Sequence, residues 1–145
     1  MIDETEAALS TVRAVFREVQ ITRQYLRQLA PAVTSAADRD RIHDSDDALI
    51  RISRSILEMD TYWDDRDWGD RQTYAPSFSP ITNGSDEPLS LMELREGLCG
   101  ELGNLLRFTR LALGLVGQGM QDTFRALERE IETLDTWAQE RAVEQ

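Results

Sequence analysis

The chain has 145 residues, 41% apolar and 30% charged, a composition typical of one globular domain and too apolar for a disordered chain. All sixteen basic residues are arginine, none is lysine, and 27 acidic residues give a net charge of −11. Basic residues supply most of the nonspecific affinity for phosphates. The charge therefore argues against direct binding to nucleic acid or to acidic membranes, and favours a protein partner or a second copy of the chain.

The sequence also lacks the patterns of membrane and secreted proteins. No apolar run approaches the ~20 residues that a spanning helix needs, and the first residues do not form a basic segment followed by an apolar one. Cys99 and His43 are single, so an intrachain disulfide and a zinc site of Cys and His ligands are excluded. We expect a protein without a cofactor, cytoplasmic or held within an assembled particle.

Apolar residues at spacings of three and four predict two helices in the first half of the chain. The first covers residues 3–30 and ends before Pro31, because proline cannot continue the hydrogen-bond ladder. The second covers residues 35–63, with Ser35 as its N-cap. Arg23 interrupts the apolar stripe of the first helix.

The segment 64–89 has no periodicity and contains prolines, serines and an Asn-Gly pair, which predict a long loop. Large aromatic residues are concentrated in this loop and just before it. Aromatic side chains in a polar segment are typical of protein contact sites, because they bury much area with few rotatable bonds. The candidates for interaction are Trp63, Trp68, Tyr74 and Phe78. A second interpretation is that these rings pack back onto one end of the bundle.

Two further helices are predicted at residues 90–116 and 120–141. Ser90 and Glu93 have the spacing of a capping box, and the glycines at 117 and 119 predict a short turn between the helices. The fold class is therefore all-α, a single antiparallel four-helix bundle over residues 1–145. The short first and third connections fit an up-down-up-down order, and the long middle link also permits a crossover.

Three glycines recur at every third position inside the third helix, namely Gly97, Gly100 and Gly103. Each costs close to 1 kcal/mol relative to alanine within a helix. We interpret them as a ridge of small residues that allows another helix to approach closely, from the same chain or from a second subunit.

Carboxylates three residues apart share one face of a helix and are suitable ligands for Mg²⁺. Glu93 and Glu96 on the third helix and Glu132 and Asp135 on the fourth have this spacing. The two pairs resemble the ExxE and ExxD metal motifs of MazG-like nucleotide pyrophosphohydrolases, and the resemblance implies an all-helical, metal-dependent hydrolase. A tight turn near Gly119 would place the pairs roughly 20 Å apart along the bundle, too far to share a metal ion.

No other pattern indicates a catalytic site. The sequence therefore favours a non-catalytic helical subunit for protein–protein interaction or assembly, a scaffold, adaptor or component of a viral particle, which forms a homo-oligomer. One alternative is the Mg²⁺-dependent pyrophosphohydrolase-like enzyme. The other is an acidic regulator that mimics DNA with its second and fourth helices.

Overall fold

The helical patterns of the sequence form four helices in the two stretches that the structure, a computed structural model, describes: residues 4–58 and 89–143. The helices are α1 (Glu4–Leu29), α2 (Ala36–Leu57), α3 (Leu91–Leu113) and α4 (Gln118–Val143). The predicted all-α four-helix bundle is confirmed. Residues 64–88, which are all of the predicted loop except Leu89, lie outside the described residues.

Two helices begin where serine was expected to cap them. Ser35 accepts a hydrogen bond from the backbone N–H of Asp38 and caps α2. Ser90 caps α3, accepting from the N–H of Glu93, while the Glu93 carboxylate accepts from the N–H of Ser90. Both arrangements satisfy donors that the first turn of a helix leaves free.

The ends of the helices differ from the prediction. Glu58, not Trp63, follows the last turn of α2 as its C-cap, and residues 59–63 lie outside the described part. The turn between α3 and α4 covers residues 114–117, so α3 does not continue to 116 and α4 begins two residues earlier than predicted.

Gln121 gives a physical reason for this earlier turn. Its side-chain amide donates hydrogen bonds to the backbone oxygens of Leu113 and Val116, at 2.7 and 3.1 Å. These bonds satisfy carbonyl groups that the end of α3 would otherwise leave free. The pair of glycines in the sequence marks the correct region, but the side chain four residues into α4 fixes the position of the turn.

The helices form a ring in which α1 and α4 each pack against both α2 and α3. The short turns make α1–α2 and α3–α4 antiparallel pairs. Gly97 of α3 lies against Tyr25 of α1, and Glu101 lies against Glu18. Because position numbers rise on α3 as they fall on α1, this pair is antiparallel as well.

The chain order is therefore the crossover arrangement. The pairs α2 and α3, and α1 and α4, face each other diagonally across the core and run in the same direction. Consequently α2 ends toward the end of the bundle where α1 begins, and α3 starts at the opposite end. The chain must pass from one end to the other between Glu58 and Leu89.

Apolar side chains from all four helices fill the core, as the periodicity predicted. The largest fully buried ones are Phe16, Phe124, Leu26, Leu29, Ile42, Leu49, Ile56, Leu98, Leu102, Leu105, Leu127 and Ile131. Leu115 is 38% exposed, because it follows the end of α3. Within the described part of the chain, none of the helices has both the length and the apolar character needed to span a membrane.

Candidate interaction surface

The predicted aromatic contact residues, Trp63, Trp68, Tyr74 and Phe78, lie outside the described residues. Their part in binding stays a prediction from the sequence.

The three glycines of α3 have different surroundings. Gly97 faces Tyr25 of α1 so closely that a Cβ atom added there would lie 2.5 Å from the ring atom Cε1. Gly100 and Gly103 are exposed, and no heavy atom would lie within 4 Å of a Cβ added to either. Of the three glycines, Gly97 therefore allows the close contact between α3 and α1, whereas Gly100 and Gly103 lie on open surface.

Gly100 and Gly103 lie on the side of α3 opposite its buried stripe. The other exposed residues at matching helical positions complete this surface, which we call the α3 outer face: Met92, Glu96, Gly100, Gly103, Arg107 and Leu111. Met92 is 61% exposed and Leu111 is 52% exposed. They are two of the three exposed large apolar side chains in the described part of the chain.

Sequence reasoning missed Met92 and Leu111 as surface residues. Both adjoin leucines of a helix that is apolar over much of its circumference, so composition alone did not separate the core stripe from the outer one. The sequence did contain one useful signal, the angular position of each residue around the helix axis. At about 100° per residue, Met92 and Leu111 lie on the side of α3 that faces away from Leu98 and Leu105.

Charged side chains flank the outer face. The Arg110 guanidinium lies 3.1 Å from a Glu128 oxygen and 3.5 Å from a Glu132 oxygen. Glu96 and Arg107 are exposed, and neither forms an ion pair with another described residue. The face therefore carries one acidic and one basic side chain that are available to a partner.

The seam between α1 and α2 contains a network of polar side chains. Arg23 is almost fully buried and donates from Nε to Asp46 Oδ1 at 2.8 Å and from Nη1 to Gln20 Oε1 at 3.0 Å. The Gln20 amide donates in turn to the Ser53 hydroxyl at 2.9 Å. Arg27 lies 3.7 Å from the other Asp46 oxygen. Each buried donor in this network has a partner, which is the condition for burying polar groups at low cost.

The seam between α1 and α3 joins two groups of like charge. The Glu101 carboxyl lies within hydrogen-bonding reach of Glu18. Burial, this hydrogen bond and the charge of Glu18 raise the pKa of Glu101 to about 9. Burial and the charge of Glu101 also raise the pKa of Tyr25.

The carboxylate pairs of the hydrolase hypothesis are not brought together. Glu93 caps α3, whereas Glu132 pairs with Arg110, about 25 Å farther along that helix. Asp135 accepts a hydrogen bond from Gln139 of its own helix. In residues 4–58 and 89–143, no group of three or more His, Cys, Asp or Glu side chains could hold a metal ion.

The single cysteine and histidine show no catalytic arrangement. Cys99 is half-buried, and burial together with the charge of Asp135 raises the pKa of its thiol. A raised pKa opposes formation of the reactive thiolate. His43 is exposed on α2, as the sequence suggested.

The charges of α2, one of the two helices in the DNA-mimic hypothesis, are mixed. This helix contains five aspartates and four arginines, so its net charge is −1. Arg39, Arg51 and Arg54 are exposed along it. The arginines interrupt any row of negative charges comparable to the phosphates of DNA.

Comparison of this chain with protein-family models, with curated proteins and with solved structures finds no match. Function is therefore argued from the residues of the chain itself.

Proposed function

We propose that this chain is a non-catalytic helical subunit for protein–protein interaction and assembly, which forms a homo-oligomer. The main support for this proposal is that Met92 and Leu111 are both exposed on the outer face of α3. Isolated exposed apolar residues are common, but two large ones beside open glycines on one helix face form a surface suited to burial against a partner.

The charge distribution supports the same proposal. The chain carries a net charge of −11, yet α3 has three glutamates and three arginines and is neutral. Two acidic copies repel one another most where their negative residues meet. The α3 outer face is thus a surface on which copies can meet with little repulsion.

The aromatic residues between 62 and 78 are a second predicted contact. Their support is sequence composition: five of the ten large aromatic residues of the chain fall in that short stretch. Trp68→Ala tests this contact separately from the α3 outer face.

Light scattering of the purified full chain, across a range of concentrations and at low and high salt, tests the proposal. We expect a defined oligomer that is favoured by salt, because salt screens the repulsion between acidic copies. A strict monomer under every condition would contradict assembly of the chain with itself. Trp68→Ala and Leu111→Ser, compared under the same conditions, show which predicted contact the oligomer needs.

A further inference from the structure

We infer that the partner of the α3 outer face is a second copy of the same chain, bound with the two α3 helices antiparallel about a twofold axis between positions 101 and 102. This inference rests on the proposed assembly function and adds the partner and the pairing register. Its basis is the symmetry of the exposed residues along the helix.

The order of residues on the outer face is nearly palindromic. In this register position 92 lies opposite position 111 of the partner copy, position 96 opposite position 107, and position 100 opposite position 103. Met92 therefore faces Leu111, also an exposed large apolar side chain, at both ends of the interface. A twofold interface requires this self-complementarity, because the same surface serves both copies.

The charges on the face match in the same register. Glu96 of one copy lies at the level of Arg107 in the other. Glu96 and Arg107, which form no ion pair with described residues of their own chain, would each gain an oppositely charged neighbour.

The centre of the face has the space that close packing needs. Gly100 and Gly103 present no side chain there, and a Cβ added to either would meet nothing within 4 Å. Small residues at a crossing point let two helix backbones approach closely. Gly100 of one copy lies opposite Gly103 of the other, on both sides of the axis.

The size of the face sets the expected strength. Positions 92 to 111 cover about 28 Å of helix, and two such faces would bury roughly 1,000 Å² in total, at the low end for specific interfaces. We therefore expect a dimer that dissociates on dilution.

A charge-swap series in the full chain tests both the partner and the register, with sedimentation equilibrium as the measurement. Arg107→Glu and Glu96→Arg should each raise the dissociation constant at least tenfold, because each places like charges together. The double variant carrying both changes should restore dimerisation to within about threefold of the original chain. Arg125→Glu and Asp122→Arg, on the exposed side of α4, match the changes in net charge and should have much smaller effects.

A second measurement follows the geometry directly. Gly103→Cys in a Cys99→Ser background places one thiol per chain beside the twofold axis, so mild oxidation should give a covalent dimer in high yield. Cys99 is the only cysteine of the chain, so no other thiol would compete in this background. A thiol placed at the exposed position 122 in the same background should cross-link far less.

The outcomes separate this inference from the function on which it rests. An oligomer whose dissociation constant responds equally to the α3 variants and to the α4 controls would overturn the α3 register while leaving assembly in place. A strict monomer would overturn both. A dimer lost in the single variants and restored in the double variant would establish the twofold α3 pairing.

Discussion

Toward α2, helix α1 buries a guanidinium beside a carboxylate, whereas toward α3 it places a carboxylate against a second carboxyl group. Arg23 and Asp46 have complementary charges and form an ion pair at 2.8 Å. Glu101 lies against Glu18, and burial together with this neighbour raises the pKa of Glu101. The first seam should be intolerant of losing one partner, and the second should depend on pH.

The largest expected effect is the loss of one partner from the α1–α2 seam. Asp46→Ala removes the carboxylate from the nearly buried Arg23, and we expect unfolding in urea to show a loss of about 3–5 kcal/mol. Asp47→Ala, at the exposed neighbouring position, should change stability by less than about 0.5 kcal/mol. Equal effects of the two variants would show that burial of Arg23 does not govern this seam.

The next effect distinguishes the glycines of α3. Gly97→Ala should lower the free energy of unfolding by about 1–3 kcal/mol, because its Cβ would displace the Tyr25 ring. Gly100→Ala, with open space, should raise it by up to about 1 kcal/mol through better helix propensity. Urea unfolding of dilute protein measures both. In a Tyr25→Ala background, Gly97→Ala should no longer lower the free energy of unfolding. If it still did, the contact with the Tyr25 ring would not be the cause.

A smaller effect concerns pH. Glu101 has a pKa of about 9 in the folded chain, above its value of about 4.5 when unfolded, so the folded state holds more protons between these pH values. The free energy of unfolding must therefore fall as pH rises through this window, by at most about 1.4 kcal/mol per pH unit and by less because Glu101 is only half-buried.

Glu101→Gln should remove this contribution. We expect the variant to be more stable than the original chain at pH 8, by on the order of 1 kcal/mol, and nearly equal to it at pH 5. Thermal unfolding at a series of pH values measures the difference. Glu140→Gln, exposed on α4, is the control, and parallel pH profiles for the original chain and Glu101→Gln would contradict a proton held by Glu101.

The smallest effect comes from the exposed seam between α3 and α4, which serves as a baseline for the buried ion pair. Arg110 is more than half exposed where it meets Glu128 and Glu132. Arg110→Ala should therefore cost below about 1 kcal/mol at low salt, and less at high salt. If Arg110→Ala lowered the free energy of unfolding as much as Asp46→Ala, the proposed difference between the buried and the exposed ion pairs would be wrong.

Local signals in the sequence predicted much of the fold. The periodic apolar residues located all four helices, and Ser35 and Ser90 marked two helix starts because capping depends on neighbours within one turn. The sequence did not determine the direction of α3 relative to α1, because the long link between α2 and α3 allows either an up-down-up-down or a crossover order. That choice depends on contacts such as Tyr25 against Gly97, which are distant in sequence.

The polar residues were harder to interpret for the same reason. Arg23 looked like an interruption of an apolar stripe, and its partner lies on another helix at position 46. The acidic residues Glu128 and Glu132 of α4 meet Arg110 of α3, whereas α1 lies diagonally across the bundle from α4. Pairings between helices need the topology, which periodicity does not contain.

The crossover between Glu58 and Leu89 also has a kinetic consequence. The hairpins α1–α2 and α3–α4 close through short turns, whereas the α1–α3 seam joins positions about 70 to 80 apart in the chain, such as Tyr25 and Gly97. Closing a longer loop loses more chain entropy before any contact compensates for it. Each hairpin can thus assemble ahead of the interface that unites them, and the proton that the raised pKa of Glu101 retains would be taken up in that last docking step.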